Sequence, residues 1–255
     1  YNLPSDHVCF VVFIASRFLA FQLYCYFSGY SDISLWADRI LGVILSDNVR
    51  RPYLATSIAD FWGRWHISLT SWFRDYVYIP LGGNRVSRGR WQLNILIVFV
   101  LSGLWHGANW TFVIWGLIHA TAYLTMYWLG SLTHAALRQH NVEILPYQNV
   151  LHVLRVMIVF AIVCFGWIFF RANSLDDAFL LIRNMFHLVP ISSLWDFRLA
   201  LEGNEFLLAI ALILFLVSVE ILQTWVDFQQ WIAGLPMPIR LTIYYLAIMS
   251  ITLLG

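Results

Sequence analysis

Long apolar runs separated by short polar segments form the pattern of this sequence. The first run, residues 8–27, has the ~20 residues that a helix needs to cross a bilayer. Ser16, Arg17 and Gln22 make it unusually polar, so we expect it to face other helices. Further apolar runs lie at residues 110–129, 151–170, 206–222 and 240–254. The pattern predicts an all-α protein that crosses a membrane several times.

The segments between these runs predict shorter or interrupted helices. Residues 28–32 are predicted to end the first helix, before an amphipathic helix over residues 33–45. Residues 57–73 mix apolar and polar positions within one predicted helix. Residues 93–104 would be only about 18 Å long at the ~1.5 Å rise of a helix, too short to span alone. This run leads to His106, so we expect His106 at membrane depth beside a cavity.

Composition supports a membrane protein made of one embedded domain. Charged residues make up 11% of the 255 residues, against roughly 25% in soluble domains. Cys9, Cys25 and Cys164 lie inside apolar runs without metal-ligand spacing, so we expect packing roles and no bound metal. We interpret residues 1–255 as a single membrane-embedded domain, and as a fragment truncated at both ends.

The charge is nearly balanced but unevenly distributed. A net charge of +1 argues against nucleic acid as a partner. All 15 basic residues are arginine, and by the positive-inside rule a cluster of them should face the cytoplasm. That cluster comprises Arg50, Arg51, Arg64, Arg74, Arg85, Arg88 and Arg90.

Two histidines are the main candidates for chemistry. His66 follows Trp65 and His106 follows Trp105, 40 residues apart and in separate predicted helices. A neutral imidazole, with a pKa near ~6.5, can take a proton from a hydroxyl group at physiological pH. Either histidine can equally be a hydrogen-bonded packing residue. His119, in the helix after the break, is a weaker candidate for a supporting position.

Other functions remain open from the residues alone. Buried histidines in broken helices also suit a transporter or flippase with a proton relay. A di-histidine haem protein is a third possibility, which the unpaired contexts of His66 and His106 argue against. The sequence contains none of the motifs GxSxG, HEXXH, Walker A or GxGxxG, so nothing suggests a serine nucleophile, bound zinc or a nucleotide fold.

A series of long, Trp-rich motifs resembles a known family. The motifs cover residues 27–32, 51–53, 61–69, 74–76, 78–85, 104–110, 115–116 and 166–172. In this order they resemble the membrane-bound O-acyltransferases, most closely the alginate O-acetylation branch, a relative of the D-alanyl-lipoteichoic-acid transfer protein. The resemblance extends over about residues 18–185. Tyr26 is a departure, because that branch usually has an aspartate there.

The resemblance implies a fold and a set of site residues. The expected fold is a ring of tilted and broken helices around a central polar tunnel. His106 corresponds to the catalytic histidine of the family, and His66 to a histidine lining the same tunnel. Asn109 is expected to orient His106 or the substrate, and Trp65 and Trp105 to wall the site. Further tunnel-lining candidates are Arg64, Arg74, Asp75 and Ser102.

The resemblance also implies a reaction and its location. We expect acetyl transfer from a cytoplasmic thioester such as acetyl-CoA, with no bound cofactor, towards an exported, alginate-like polysaccharide. The expected location is the bilayer of a bacterial inner membrane. Because donor and acceptor lie on opposite sides, we expect a tunnel through the protein. The acyl group would then pass to a periplasmic acetyltransferase or acyl carrier.

Overall fold

The chain is mainly α-helical in the part that the computed structural model describes, residues 8–43, 45–140, 148–185 and 203–254. The helices are α1 (Val8–Ile40), α2 (Ile58–Trp62), α3 (Ile67–Phe73), α4 (Arg88–His106), α5 (Trp110–His140), α6 (Gln148–Arg171), α7 (Leu175–Met185), α8 (Gly203–Leu222), α9 (Phe228–Ala233) and α10 (Met237–Leu254). No strand occurs in these ranges, which confirms the all-α prediction.

Three helices are long and apolar enough to cross a membrane: Trp110–Leu132 within α5, Gln148–Arg171 and Glu205–Leu222. They correspond to three of the predicted runs. The prediction of a protein with several membrane-crossing helices is therefore confirmed.

The chain divides into two compact units, Tyr1–Phe197 and Arg198–Gly255. The first contains both Trp-His motifs, and the second contains α8 to α10. The single-domain interpretation stays a prediction. The predicted polar connection at residues 131–149 is helical to His140, and residues 141–147 are outside the described part of the chain. Most of the predicted loop at 187–204 is also outside it.

Two glycines let α4 and α5 pack with their backbones in contact. A Cβ atom on Gly103 of α4 would collide with the backbone carbonyl of Phe112 in α5. A Cβ on Gly116 of α5 would collide with the carbonyl of Phe99 in α4. Small residues at such positions are typical of membrane helix pairs, where close approach supplies the van der Waals energy. The two helices therefore form a tight hairpin.

The predicted break after residue 27 is wrong, because α1 continues through residues 28–32 to Ile40. The Ser31 hydroxyl donates a 2.7 Å hydrogen bond to the Phe27 carbonyl one turn earlier. This bond to the residue four positions back is compatible with an intact helix. Gly29 is accommodated within the helix, and no atom lies within 4 Å of its missing Cβ.

The single helix predicted over residues 57–73 is also wrong. α2 ends at Trp62, and His66 adopts a left-handed conformation (φ 46°, ψ 54°) before α3 begins. The Arg50 amide donates to the Arg64 carbonyl at 2.8 Å, and the Ile67 amide donates to the Asn48 carbonyl at 3.0 Å. These tertiary hydrogen bonds hold the backbone of the break on both sides of His66.

α4 is longer than predicted. It has 19 residues, from Arg88 to His106, and measures about 28 Å at the ~1.5 Å rise of a helix. The inference that His106 lies at membrane depth because the helix is short therefore loses its basis. The prediction that the helix ends at the Trp-His-Gly sequence is confirmed, since Gly107 follows the last helical residue.

Other predicted elements are present. α6 at Gln148–Arg171 contains the predicted span over residues 151–170. Ser174 caps α7, because its hydroxyl accepts a 3.1 Å hydrogen bond from the Asp177 amide.

Candidate active site

The two histidines of the Trp-His motifs line one cavity in the first unit. Its volume is about 270 Å³, and α1, the α2–α3 break, the ends of α4 and α6, and α5 supply its wall. Most of the wall is aromatic, including Trp62, Trp65, Trp105, Trp115 and Trp167. The structure therefore brings together His66 and His106, which lie 40 residues apart in sequence.

His66 presents its ring to the cavity from the break between α2 and α3. The ring centroid lies 4.7 Å from that of Phe27 in α1, and Nδ1 lies 3.4 Å from the Ser68 hydroxyl oxygen. A left-handed backbone at a residue with a Cβ costs about 1–3 kcal/mol and persists only where surrounding structure enforces it. The hydrogen bonds flanking His66 provide that enforcement.

Burial lowers the pKa of His66 below the ordinary value of an imidazole. His66 lies outside the three helices that are long and apolar enough to cross a membrane. Its ring is consequently neutral near pH 7.

His106 is the last residue of α4, and aromatic rings surround it. Its ring centroid lies 4.8 Å from Phe170 of α6, 4.9 Å from Trp105 and 5.4 Å from Trp115 of α5. Among the described residues, no group hydrogen-bonds either ring nitrogen. His106 is therefore fixed by ring packing, which leaves its nitrogens available to a molecule in the cavity.

The two tryptophans predicted to wall the site do line the cavity. Trp105 contacts both histidines, with its ring centroid 6.1 Å from that of His66 and 4.9 Å from that of His106. Trp65 is buried, stacks on Phe61 at 6.0 Å and contacts Trp167 at 5.4 Å. Their predicted role in excluding water from a substrate stays a prediction.

Four other candidates do not line this cavity. Arg64 pairs with Asp60 at 2.7 Å, one helical turn away. Arg74 and Asp75 pair with each other on the surface at 2.8 Å, and the hydrogen bond from Arg74 lowers the pKa of the Asp75 carboxyl. Ser102 is buried within α4. Their predicted roles in a tunnel stay predictions.

Asn109 also lies off the cavity wall, in the turn between α4 and α5. Its side-chain oxygen accepts a 3.1 Å hydrogen bond from the Thr111 amide in the first turn of α5. Its side-chain nitrogen donates a 3.0 Å bond to the Asn173 carbonyl. Because α4 ends at His106, Asn109 does not continue the same helical face. Within the described chain no hydrogen bond joins Asn109 to His106.

Eight of the twelve residues that line the cavity were not among the predicted site residues, and three of them bear on the site most directly. Trp115 and Phe170 contact the His106 ring, and both belong to motifs that carried the family resemblance. Tyr26 also lines the cavity. It occupies the position of the expected aspartate, so the departure from the family pattern falls on the wall of the site itself.

His119 does not line the cavity but packs against two tryptophans that do. It is fully buried, and its centroid lies 5.0 Å from Trp115 and 5.2 Å from Trp62. Neither of its ring nitrogens has a hydrogen-bond partner among the described residues. Gly166 of α6 packs so closely that a Cβ there would lie 2.8 Å from His119 Nε2. His119 therefore packs against Trp115 from behind the aromatic cavity wall.

Metal binding finds no support in the described residues. Across residues 8–43, 45–140, 148–185 and 203–254, no three His, Cys, Asp or Glu side chains form a group that could hold a metal ion. The expected absence of a metal stays a prediction.

The arrangement can now be compared with known proteins. The family model of the membrane-bound O-acyltransferases matches residues 2–169. The chain belongs to this family. The resemblance carried by the sequence motifs is thereby confirmed. The matched region includes both histidines and all of α1 to α5.

Curated relatives place the chain near the alginate branch. It is 42% identical over 165 residues to the probable alginate O-acetylase AlgI of Azotobacter vinelandii, covering 65% of this chain and 30% of that protein. It is 39% identical over 188 residues to the peptidoglycan O-acetyltransferase of Helicobacter pylori, covering 74% and 33%. It is 30% identical over 155 residues to the teichoic acid D-alanyltransferase of Bacillus subtilis, covering 58% and 38%. The chain thus spans about a third of the length of these relatives.

Proposed function

We propose that the protein containing this chain transfers an acetyl group from a thioester such as acetyl-CoA towards hydroxyl groups of an exported polysaccharide. The observation that carries the proposal is the shared cavity of His66 and His106. Family membership supports O-acyl transfer, and the relatives named for alginate and peptidoglycan support acetyl as the acyl group.

His106 is the proposed general base. One of its ring nitrogens takes the proton of the acceptor hydroxyl while the hydroxyl oxygen attacks the thioester carbonyl carbon. A carbon–oxygen bond forms, the carbon–sulfur bond breaks, and the proton passes from His106 to the departing thiolate. General base catalysis of this kind typically contributes about 10²- to 10⁴-fold to a rate.

The cavity wall supports a reaction that must avoid water. The aromatic lining leaves few polar groups to hold solvent, and exclusion of water prevents hydrolysis of a reactive acyl group. His66, whose ring also contacts Trp105, is proposed to position the donor or the acceptor.

The location of donor and acceptor suggests a partner. Acyl thioesters are made in the cytoplasm, whereas an exported polysaccharide lies outside it. We place the protein in a bacterial inner membrane and propose that it hands the acetyl group to a separate periplasmic acetyltransferase or acyl carrier. No bound cofactor is required, because the acyl group arrives with its thioester.

Reconstitution tests this function. The full-length protein in liposomes would be supplied with radiolabelled acetyl-CoA, with polysaccharide and with or without periplasmic extract. We expect acetyl transfer that His106→Ala abolishes while His152→Ala, a change at an exposed histidine of α6, leaves it intact.

Three outcomes would contradict the proposal or part of it. Wild-type acetylation by a well-expressed His106→Ala protein would remove His106 from the mechanism. Efficient acetylation of polymer by the wild-type protein alone would disprove the hand-over. If proton-coupled transport occurs without any acyl transfer, the proton-relay alternative is correct instead.

A further inference from the structure

A second cavity lies at the opposite end of the α4–α5 hairpin from the histidines. Its volume is about 310 Å³, and its wall includes Asn84, Arg88, Trp91 and Trp128. Trp91 precedes His106 by 15 residues on the same helix, which corresponds to about 22 Å along the axis. The second cavity is therefore separate from the candidate active site.

The loop that forms one side of this cavity is held in place by hydrogen bonds. The Asn94 side-chain nitrogen donates to the carbonyls of Leu81 and Gly83, each at 3.2 Å. The Trp91 indole nitrogen donates to the Tyr78 hydroxyl at 3.0 Å. Asn94 is fully buried. The wall is thus preformed, which reduces the entropy lost when a ligand binds.

The charge around the cavity favours an anion. Arg85, Arg88 and Arg90 occur within six residues, and none pairs with a carboxylate in the described chain. The Arg88 guanidinium carbon lies 5.6 Å from the centroid of the Trp128 ring, which orients the side chain along the cavity wall. Among the residues that the structure describes, no acidic side chain lines the cavity. A planar guanidinium presents paired N–H donors that match the oxygens of a phosphate group.

The position of the cavity near the end of a candidate membrane span indicates the chemical class of its ligand. Tyr127 and Trp128 lie near the end of the candidate membrane span Trp110–Leu132. Tryptophan and tyrosine side chains are enriched at the level of lipid headgroups, and arginine clusters near the ends of spans attract anionic lipids. A phosphate group at this level is the chemistry that both features recognise.

We propose that this cavity binds a phosphate group at the membrane interface, with Arg88 as its principal ligand and the Asn84 amide as a second donor. The shared chemistry is a phosphate ester. It is carried either by an anionic phospholipid headgroup or by a soluble phosphate-bearing molecule. The proposal concerns a different cavity from the histidine site and does not rest on the proposed function.

Native mass spectrometry of the detergent-solubilised full-length protein tests this site. The arms are phosphatidylglycerol, phosphatidylcholine, glycerol 1-phosphate and inorganic phosphate. We expect Arg88→Gln to weaken binding about tenfold, as loss of a charged hydrogen bond of ~1.5 kcal/mol predicts. Arg183→Gln, the same chemical change at an exposed arginine of α7, should leave binding unchanged.

The arms distinguish the source of the phosphate. Arg88-dependent retention of phosphatidylglycerol that glycerol 1-phosphate does not displace identifies a lipid headgroup. Arg88-dependent binding of glycerol 1-phosphate or inorganic phosphate in preference to either lipid identifies a soluble ligand. Equal binding by wild-type and Arg88→Gln proteins in every arm, or equal loss in Arg183→Gln, would overturn the proposal. Matching size-exclusion profiles would show that all variants are folded.

Discussion

The Asn109 side chain donates a 3.0 Å hydrogen bond to the backbone carbonyl of Asn173, which lies 64 residues further along the chain. The bond joins the turn that follows His106 to the residues that follow α6. Since Phe170 near the end of α6 contacts the His106 ring, the bond connects two sides of the candidate active site.

Two substitutions of Asn109 should distinguish the role of the hydrogen bond that its side chain donates from the role of the one that it accepts. Asn109→Ala removes both the bond to Asn173 and the acceptor for the Thr111 amide, and loss of a helix cap typically costs ~1 kcal/mol. Asn109→Asp keeps the acceptor for the Thr111 amide, removes the donor and sets a carboxylate oxygen against the Asn173 carbonyl oxygen. We expect both variants to lose acetyl transfer and Asn109→Ala to be the less stable. Thermal unfolding in detergent, together with transfer assays, checks this; full activity in Asn109→Asp would contradict it.

Alanine at Gly103 or Gly116 should destabilise the first unit. In each case the added Cβ meets the backbone of the facing helix, which cannot move as a flexible side chain could. Overpacking of this kind typically costs about 1–3 kcal/mol. Gly130→Ala is the matched control on α5, because no described atom beyond its chain neighbours and its own helix backbone lies within 4 Å of the added Cβ. Denaturant titration should show loss of stability in the first two variants only.

Glycine at His66 should relieve backbone strain while removing function. Both His66→Ala and His66→Gly delete the imidazole, but only glycine adopts the left-handed conformation without a steric penalty. We expect His66→Gly to be more stable than His66→Ala by ~1 kcal/mol, and both to lose acetyl transfer. Equal stability of the two variants would show that the break relaxes when the imidazole is removed.

The stability of the protein should fall on mild acidification, partly because of His66. Burial lowers the pKa of His66 in the folded state, so below the unfolded-state value of ~6.5 the unfolded chain binds more protons. The folded state therefore loses stability as pH falls from ~6.5 towards the lowered pKa. Relative to His66→Gln, wild-type stability should be constant above pH ~6.5 and decrease below it. A difference that does not change with pH would contradict the assignment.

The segment containing Arg88 should face the cytoplasm. We expect Arg88→Cys, in a background without Cys9, Cys25 and Cys164, to react with a membrane-impermeant maleimide only from the cytoplasmic side. The cysteine-free background is the control for unspecific labelling. Labelling only from the periplasmic side would reverse the predicted orientation.

Local signals in the sequence were sufficient for helices with a continuous apolar run or a typical cap and insufficient for the candidate site. α6 could be predicted because its apolar run is continuous, and α7 because Ser174 is a typical cap. The break at His66 could not, because amides and carbonyls of Asn48 and Arg50, distant in sequence, hold it.

Cavity residues next to a histidine in sequence were predicted, and those that packing brings to a histidine were missed. The Trp-His motifs pointed to Trp65 and Trp105, whereas Trp115 and Phe170 reach His106 only through the packing of α5 and α6 against α4. Asn109 illustrates the opposite error. Its nearness to His106 in sequence suggested contact, but the end of α4 turns the chain away.

The backbone contacts at Gly103 of α4 and Gly116 of α5 couple the movements of the two helices. Because Gly103 and Gly116 bring the two backbones into contact, the helices cannot slide or bend independently without a steric clash. Trp91, in the wall of the second cavity, and His106 lie towards opposite ends of this hairpin, about 22 Å apart along α4. A tilt that widens one cavity must therefore displace the wall of the other.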